Sequence, residues 1–154
     1  MKKTNSSGLF KNFLVLTIFL SSLFFSKKSS AQSPGIDTLL NNKVYTIELE
    51  EDMGKKNKTY PDELSFKGDK LKSKYLTVEE KFKSGKFTAS LDANSTVRKV
   101  NFEATTKNEK GETISWVGTV TGDEIEGTGE WTKKDESTRM MYNFTGSLKV
   151  KKGR

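Results

Sequence analysis

The sequence predicts an all-β domain, a single antiparallel up-and-down meander of about eight strands that closes into a barrel. From residue 43 onward, large apolar residues recur at every second position, and short turn signals separate consecutive stretches. Only one face of each predicted strand is apolar, so the sheet must either pack on a second sheet or curl until its edges meet. The consecutive hairpins and the inward glycines favour closure, which also removes free strand edges.

The composition excludes several classes of enzyme. The chain has 154 residues with 32% hydrophobic side chains, and it contains neither cysteine nor histidine. It therefore cannot carry a Ser-His-Asp or Cys-His catalytic site, a Cys/His zinc site, a haem-binding histidine or a disulfide. We expect one domain that is not an enzyme and that uses no cofactor and no metal.

The first 31 residues predict a secretory signal peptide. Lysines precede an apolar run at 13–25, and Ser29, Ser30 and Ala31 supply a small-residue cleavage site before Gln32. The apolar run has 13 residues, whereas a membrane-spanning helix needs about 20. We therefore expect export to the periplasm or the exterior of a Gram-negative bacterium, with no stable membrane insertion after cleavage.

The basic character of the chain belongs largely to this leader. The formal charge is +7, but removing residues 1–31 takes away five lysines and no acidic residue, which leaves 22 basic and 20 acidic side chains. A basic tail at 151–154 lacks the aromatic platforms of a nucleic-acid surface. We expect no nucleic-acid partner.

The first half of the mature chain predicts a leader and three strands. Residues 32–42 are predicted as a leader segment with one helical turn at 36–40, and the barrel domain is predicted at 43–150. A strand at 43–51 is followed by a polar loop at 52–62. Next, Gly68-Asp69 predicts a two-residue hairpin turn.

The middle of the chain contains its most ambiguous segment. Residues 76–85 fit either a helical turn beginning at Thr77 or an irregular link between strands, and we favour the link. Beyond Gly85 the apolar alternation resumes in two strands that are joined by a turn at Asn94-Ser95. A loop is predicted at 107–111.

The passage 112–131 predicts its own strand pairing. If Gly122-Asp123 is a two-residue turn, every large apolar residue falls on one face, and the other face, which carries Glu124, Glu126 and Glu130, is polar. The last strand alternates from Met140 to Val150. The predicted register pairs Val120 with Ile125, Gly118 with Gly127, Trp116 with Gly129, Ile114 with Trp131, Thr121 with Glu124, Thr119 with Glu126, Val117 with Thr128 and Ser115 with Glu130.

These alternations define a predicted inner face. Its members are apolar or aromatic at every second strand position. They are Tyr45, Ile47, Leu49, Leu64, Phe66, Leu71, Phe87, Leu91, Val100, Phe102, Ile114, Trp116, Val120, Ile125, Trp131, Met140, Tyr142, Phe144 and Leu148.

The passages ISWVGTVTGDEIEGTGEW and MMYNFTGSL carry a resemblance. They are similar to the later strands of small exported lipocalin-like (calycin-type) proteins of Bacteroidota, which show a W-x-G-x-V-x-G-D-x-I-x-G-x-x-x-W pattern. The resemblance extends over residues 66–148 and implies a cup-shaped antiparallel barrel that holds a small apolar ligand. The matching residues are Trp116, Gly118, Val120, Gly122, Asp123, Ile125, Gly127 and Trp131.

Two functions remain open for such a barrel. The first is a non-catalytic binding protein that takes a small apolar molecule through an open end of the barrel. The second is a structural or protein-interaction module of the cell envelope with a filled core, using the outer face of the 115–130 hairpin. The predicted ligand-lining residues are Trp116, Trp131, Tyr142, Phe102, Phe144 and Tyr45.

Carboxylates are the remaining candidates for catalysis. Glu124 and Glu126 project from the same strand face about 7 Å apart, a separation that an inverting glycosidase pair also has. We expect both to face solvent, an environment that does not favour a general acid. The acidic run 48–52 lacks the spaced oxygen ligands of a calcium loop.

Overall fold

A computed structural model describes residues 39–52 and 57–150. The predicted signal peptide, most of the predicted leader and the basic tail lie outside the described residues. The elements, in chain order, are β1 Val44–Glu51, β2 Lys58–Lys67, β3 Lys70–Ser73, α1 Lys74–Glu79, β4 Gly85–Leu91, β5 Lys99–Lys107, β6 Thr113–Thr121, β7 Glu124–Thr132 and β8 Thr138–Leu148.

The eight strands form a closed antiparallel barrel in which each strand pairs with the next one along the chain. The first strand completes the ring by pairing with the last, with Tyr45 opposite Leu148 and Leu49 opposite Phe144. The predicted all-β closed meander is therefore confirmed.

The hairpin of β6 and β7 has the predicted register at all eight residue pairs. In its turn, Gly122 has a φ of +61°. Gly68, in the turn between β2 and β3, has a similar φ of +62°. Both turns thus put glycine first and in the left-handed region, as in a type II′ hairpin turn. Both predicted two-residue turns are confirmed.

The predicted loop at 52–62 is wrong for its last five residues, because β2 already begins at Lys58. Pro61 lies inside this strand, opposite Glu48 of β1. The pairing of β2 with β3 begins only at Leu64. A residue without an N–H group is tolerated in this part of β2, which has a strand neighbour on one side only.

The ambiguous segment is helical at 76–79, contrary to the favoured expectation, and continues as an irregular link at 80–84, in agreement with it. The helix α1 covers Lys74–Glu79, with Ser73 as its N-cap. The Ser73 Oγ accepts a hydrogen bond from the Leu76 N–H at 3.1 Å and donates one to Asp62 Oδ2 at 2.5 Å. Asp62 also accepts from the Tyr75 N–H at 2.7 Å, so β2 holds the start of the helix.

Replacing Ser73 with alanine is expected to lower the free energy of unfolding by about 1 to 2 kcal/mol. The change removes the helix cap and leaves a buried Asp62 oxygen without its donor. Urea unfolding followed by circular dichroism measures the loss. Ser90→Ala, in an exposed position of β4, is the matched control and should change the free energy by less than about 0.5 kcal/mol.

Most of the predicted inner face is buried, but Leu91 is exposed and Met140 and Leu148 are partly buried. Val150, predicted to continue the alternation of the last strand, is exposed as well. Leu91 is 52% exposed and Val150 is 81% exposed. Leu91 is the last residue of β4, and β8 ends at Leu148, so neither side chain reaches the interior. Three core residues come from outside the predicted strands: Leu40, Leu76 and Phe82.

Candidate functional site

The six predicted ligand-lining side chains all lie inside the barrel. Each is at most 3% exposed, because all occupy the inward positions of their strands. They are Tyr45 of β1, Phe102 of β5, Trp116 of β6, Trp131 of β7, and Tyr142 and Phe144 of β8.

Four of these rings belong to one packed network. The Phe102 ring centroid lies 6.4 Å from that of Phe144, and Trp116 lies 5.8 Å from Phe144 on its other side. Phe66 contacts Phe102 edge to face at 5.1 Å and Tyr45 at 6.0 Å. These centroid distances are those of aromatic rings in direct contact.

The other two rings form a second group near α1. Trp131 stacks on Tyr142 with their centroids 6.5 Å apart. Phe82, from the segment after α1, packs its ring edge to face against Trp131 at 5.1 Å. The Arg139 guanidinium lies 4.3 Å from the Trp131 ring centroid, so Trp131 is covered from several directions.

The inward glycines adjoin large side chains on neighbouring strands. Gly118 is paired with Phe102, and a Cβ atom at residue 118 would lie 2.5 Å from Phe102 Cζ. Gly127 is paired with Phe144, and a Cβ there would also lie 2.5 Å from the ring. The space left by these two missing side chains is therefore taken by aromatic rings, as in other glycine–aromatic cross-strand pairs.

Residues outside the strands extend the core at both ends of the barrel. Leu40 precedes β1 and is fully buried. At the other end, Leu76 of α1 and Phe82 are at most 2% exposed. Apolar side chains from the connections thus cover the interior at both ends of the barrel.

Two buried polar atoms have no hydrogen-bond partner among the described residues: Tyr45 Oη and Trp131 Nε1. Burial raises the pKa of Tyr45 to about 12, and the Asp123 carboxylate adds to this effect. Burial likewise raises the pKa of Tyr142. Both phenols are therefore neutral hydroxyl groups near pH 7.

A partly buried ion pair lies beside Trp131, with Glu112 buried and Arg139 exposed. Glu112 accepts hydrogen bonds from Arg139 Nη1 at 3.1 Å and from Asn108 Nδ2 at 2.8 Å. Burial alone would raise the pKa of Glu112, but the Asn108 hydrogen bond and the Arg139 guanidinium outweigh it and lower the pKa from its ordinary value of 4.5. This cluster was not predicted from the sequence, although Glu112 lies at an inward position of the same alternation as Ile114 and Trp116.

The outer surface has one acidic side, which we call the glutamate face. It comprises the outward residues of β6 and β7, of β8 from 141 to 147, and the neighbouring outward residues of β5 and β1. Glu103, Glu124, Glu126, Glu130, Glu48 and Glu50 belong to it, and the outward lysines nearest to it, Lys99 and Lys107, lie at the two ends of β5 on its edge.

The glutamate face also has exposed apolar side chains and a shallow groove. Val117 is 53% exposed and Met141 38% exposed. Glu124 and Glu126 face outward as predicted, and neither has an ion-pair partner among the described residues. They border a groove of about 460 Å³ whose lining is Thr119, Thr121, Glu124, Ile125, Glu126, Thr145, Gly146 and Ser147.

Comparisons with known proteins identify no relative. No family model, curated protein or solved structure matches this chain. The closed eight-stranded barrel agrees with a lipocalin-like fold. No helix among the described residues is long and apolar enough to cross a membrane. Within residues 39–52 and 57–150, no group of three or more acidic side chains is arranged to hold a metal ion.

Proposed function

We propose that this protein is an exported, non-catalytic interaction module that binds a partner protein through the outer surface of a filled barrel. The observation that carries the proposal is the packing of the predicted ligand-lining rings against one another. The Phe102–Phe144–Trp116 contacts and the two glycine–aromatic pairs occupy the space that an apolar ligand would need. Binding is therefore assigned to the exterior.

The glutamate face is the proposed binding surface. Protein interfaces combine a few apolar anchors with a polar rim, and Val117 and Met141 lie among six glutamates. These glutamates attract a basic partner surface and speed its association at low salt. The partner is thus a protein surface that presents lysine or arginine side chains.

A small apolar ligand inside the barrel is the second candidate. The observation that favours it is the pair of unsatisfied atoms, Tyr45 Oη and Trp131 Nε1, which a ligand could engage. However, their neighbours Leu148 and Met140 on β8 are eight residues apart, or about 27 Å along the strand. The two atoms therefore lie towards opposite ends of the barrel and do not form one compact polar site.

Tryptophan fluorescence distinguishes the two candidates. The chain has two tryptophans, and both line the predicted cavity, so any occupant would change their emission. We expect no saturable change when fatty acids, retinoids or haem are added. A saturable change that persists in the Trp131→Phe variant, where Trp116 is the reporter, would assign a ligand to the interior and overturn the filled barrel.

A further inference from the structure

Three lysines lie side by side in a row across three adjacent strands. Lys67 of β2 pairs with Lys70 of β3, and Lys70 pairs with Lys86 of β4. We call these residues the lysine row. Like charges in this arrangement are destabilising, and the only acidic partner in the described structure is Asp69, whose Oδ2 lies 3.8 Å from Lys86 Nζ.

The lysine row and the glutamate face lie on opposite sides of the molecule. The row is centred on β3, and the glutamate face is centred on β7. In a closed ring of eight strands, β3 and β7 are four strands apart in either direction. Their outer faces therefore point in opposite directions, and the barrel has one basic and one acidic side.

The spacing of the two sets of charges matches. Lys67 and Lys86 are separated by one intervening strand, and Glu48 and Glu126 are likewise separated by one strand, with Thr145 between them. Neighbouring strands lie about 4.8 Å apart, so each outer pair spans about 10 Å at the backbone. Two ion pairs can thus form at once when one surface meets the other.

We propose that the partner of the glutamate face is the lysine row of a second copy of this chain. This inference rests on the proposed function, because it names the occupant of the surface assigned there. A contact between two different faces is heterologous, and faces on opposite sides of a barrel propagate into open chains of molecules. The exposed ion pairs make the association sensitive to salt.

Other partners for the lysine row have less support. A membrane surface would require apolar side chains that insert between the lysines, and the three positions of the row are all lysines. Single-stranded nucleic acid is bound on aromatic platforms, which the row also lacks. The glutamate face, in contrast, offers the complementary charge at the matching distance on the same molecule.

Two charge-reversal variants test the proposal by complementation in analytical ultracentrifugation. Lys67→Glu/Lys86→Glu reverses the charge of the outer lysines, and Glu48→Lys/Glu126→Lys reverses that of the matching glutamates. At about 0.02 M salt, the unmodified protein should form oligomers that grow with concentration, and each variant alone should associate about tenfold more weakly or not at all. An equimolar mixture of the two variants should restore open oligomers, because the native contact and the contact with both charges exchanged each pair opposite charges.

Lys81→Glu/Lys83→Glu changes the charge equally at exposed positions between α1 and β4, on neither the row nor the glutamate face, and should leave association unchanged. Circular dichroism checks the fold of every variant. An unmodified protein that stays monomeric at low salt, variants that fail to complement each other, or a closed dimer would each overturn self-association. If self-association fails but the tryptophan titration shows no saturable ligand, only this inference is wrong and the proposed function is unaffected. A saturable ligand in the interior would instead overturn the proposed function itself.

Discussion

Replacing Gly127 with alanine is expected to lower the free energy of unfolding by about 3 kcal/mol. A Cβ atom at this position would lie 2.2 Å from the Val117 carbonyl oxygen and 2.5 Å from Phe144 Cζ. The backbone of β6 cannot move away without breaking its pairing with β7, and the Phe144 ring is held by Phe102 and Trp116. The added methyl group therefore overpacks the core.

Gly129→Ala is the matched control, two residues further along the same strand. A Cβ there would lie 3.4 Å from Trp116 Cε3 and from Ile114 Cγ2, which is ordinary contact. We expect a change of less than about 1 kcal/mol. Urea unfolding followed by tryptophan emission measures both variants. Equal effects at the two positions would show that the ring of Phe144 does not occupy the space at Gly127, and the filled interior would lose its main support.

The strand pairing was predictable because alternation and turn chemistry act together over short distances. Gly122 must open the turn, and the turn then determines which residues of β6 and β7 face each other. A slip of one residue would place Trp116 on the glutamate side. The closed barrel followed from the same alternation, since each strand has only one apolar face.

The helix and the filled interior were not predictable in this way. The helix α1 has six residues, of which only Leu76 is buried, and its start depends on Asp62, eleven residues before Ser73 in the chain. Alternation identifies the side chains that point inward, but it does not say whether they fill the space. That depends on the pairing of β5 with β6 and of β7 with β8, which places Phe102 at Gly118 and Phe144 at Gly127.

The distribution of charge over the barrel surface also could not be predicted without knowing which strands pair. The lysines of the lysine row lie at 67, 70 and 86, and a linear reading does not show that they form a single row. The predicted outward placement of Glu124 and Glu126 follows from strand parity alone, whereas Glu48 joins their face only when β1 closes onto β8. The proposed binding surface is thus a consequence of closure.

Glu112→Gln is expected to lower the free energy of unfolding by about 2 kcal/mol near pH 7. Glu112 is only 8% exposed, and the substitution leaves Arg139 Nη1 facing an uncharged amide. The same Arg139 guanidinium lies over the Trp131 ring, so the loss also loosens the end of the core at Phe82. Glu109→Gln is the matched control, because the ion pair of Glu109 with Lys83 is 3.4 Å long and both side chains are about 70% exposed. This substitution should lower the free energy of unfolding by less than about 0.5 kcal/mol.

The pH dependence separates the charge of Glu112 from its shape. The folded protein holds the pKa of Glu112 below its ordinary value of 4.5, so the carboxylate contributes stability that is fully present above pH 4.5. This contribution is lost as the pH falls through the lower folded pKa, where Glu112 becomes protonated and resembles glutamine. The difference in unfolding free energy between the unmodified protein and Glu112→Gln should therefore be constant from about pH 6 to pH 8 and shrink below about pH 4.5. A difference that persists unchanged into acid would mean that glutamine fails there for steric reasons, and that the ion pair with Arg139 contributes nothing to the barrel.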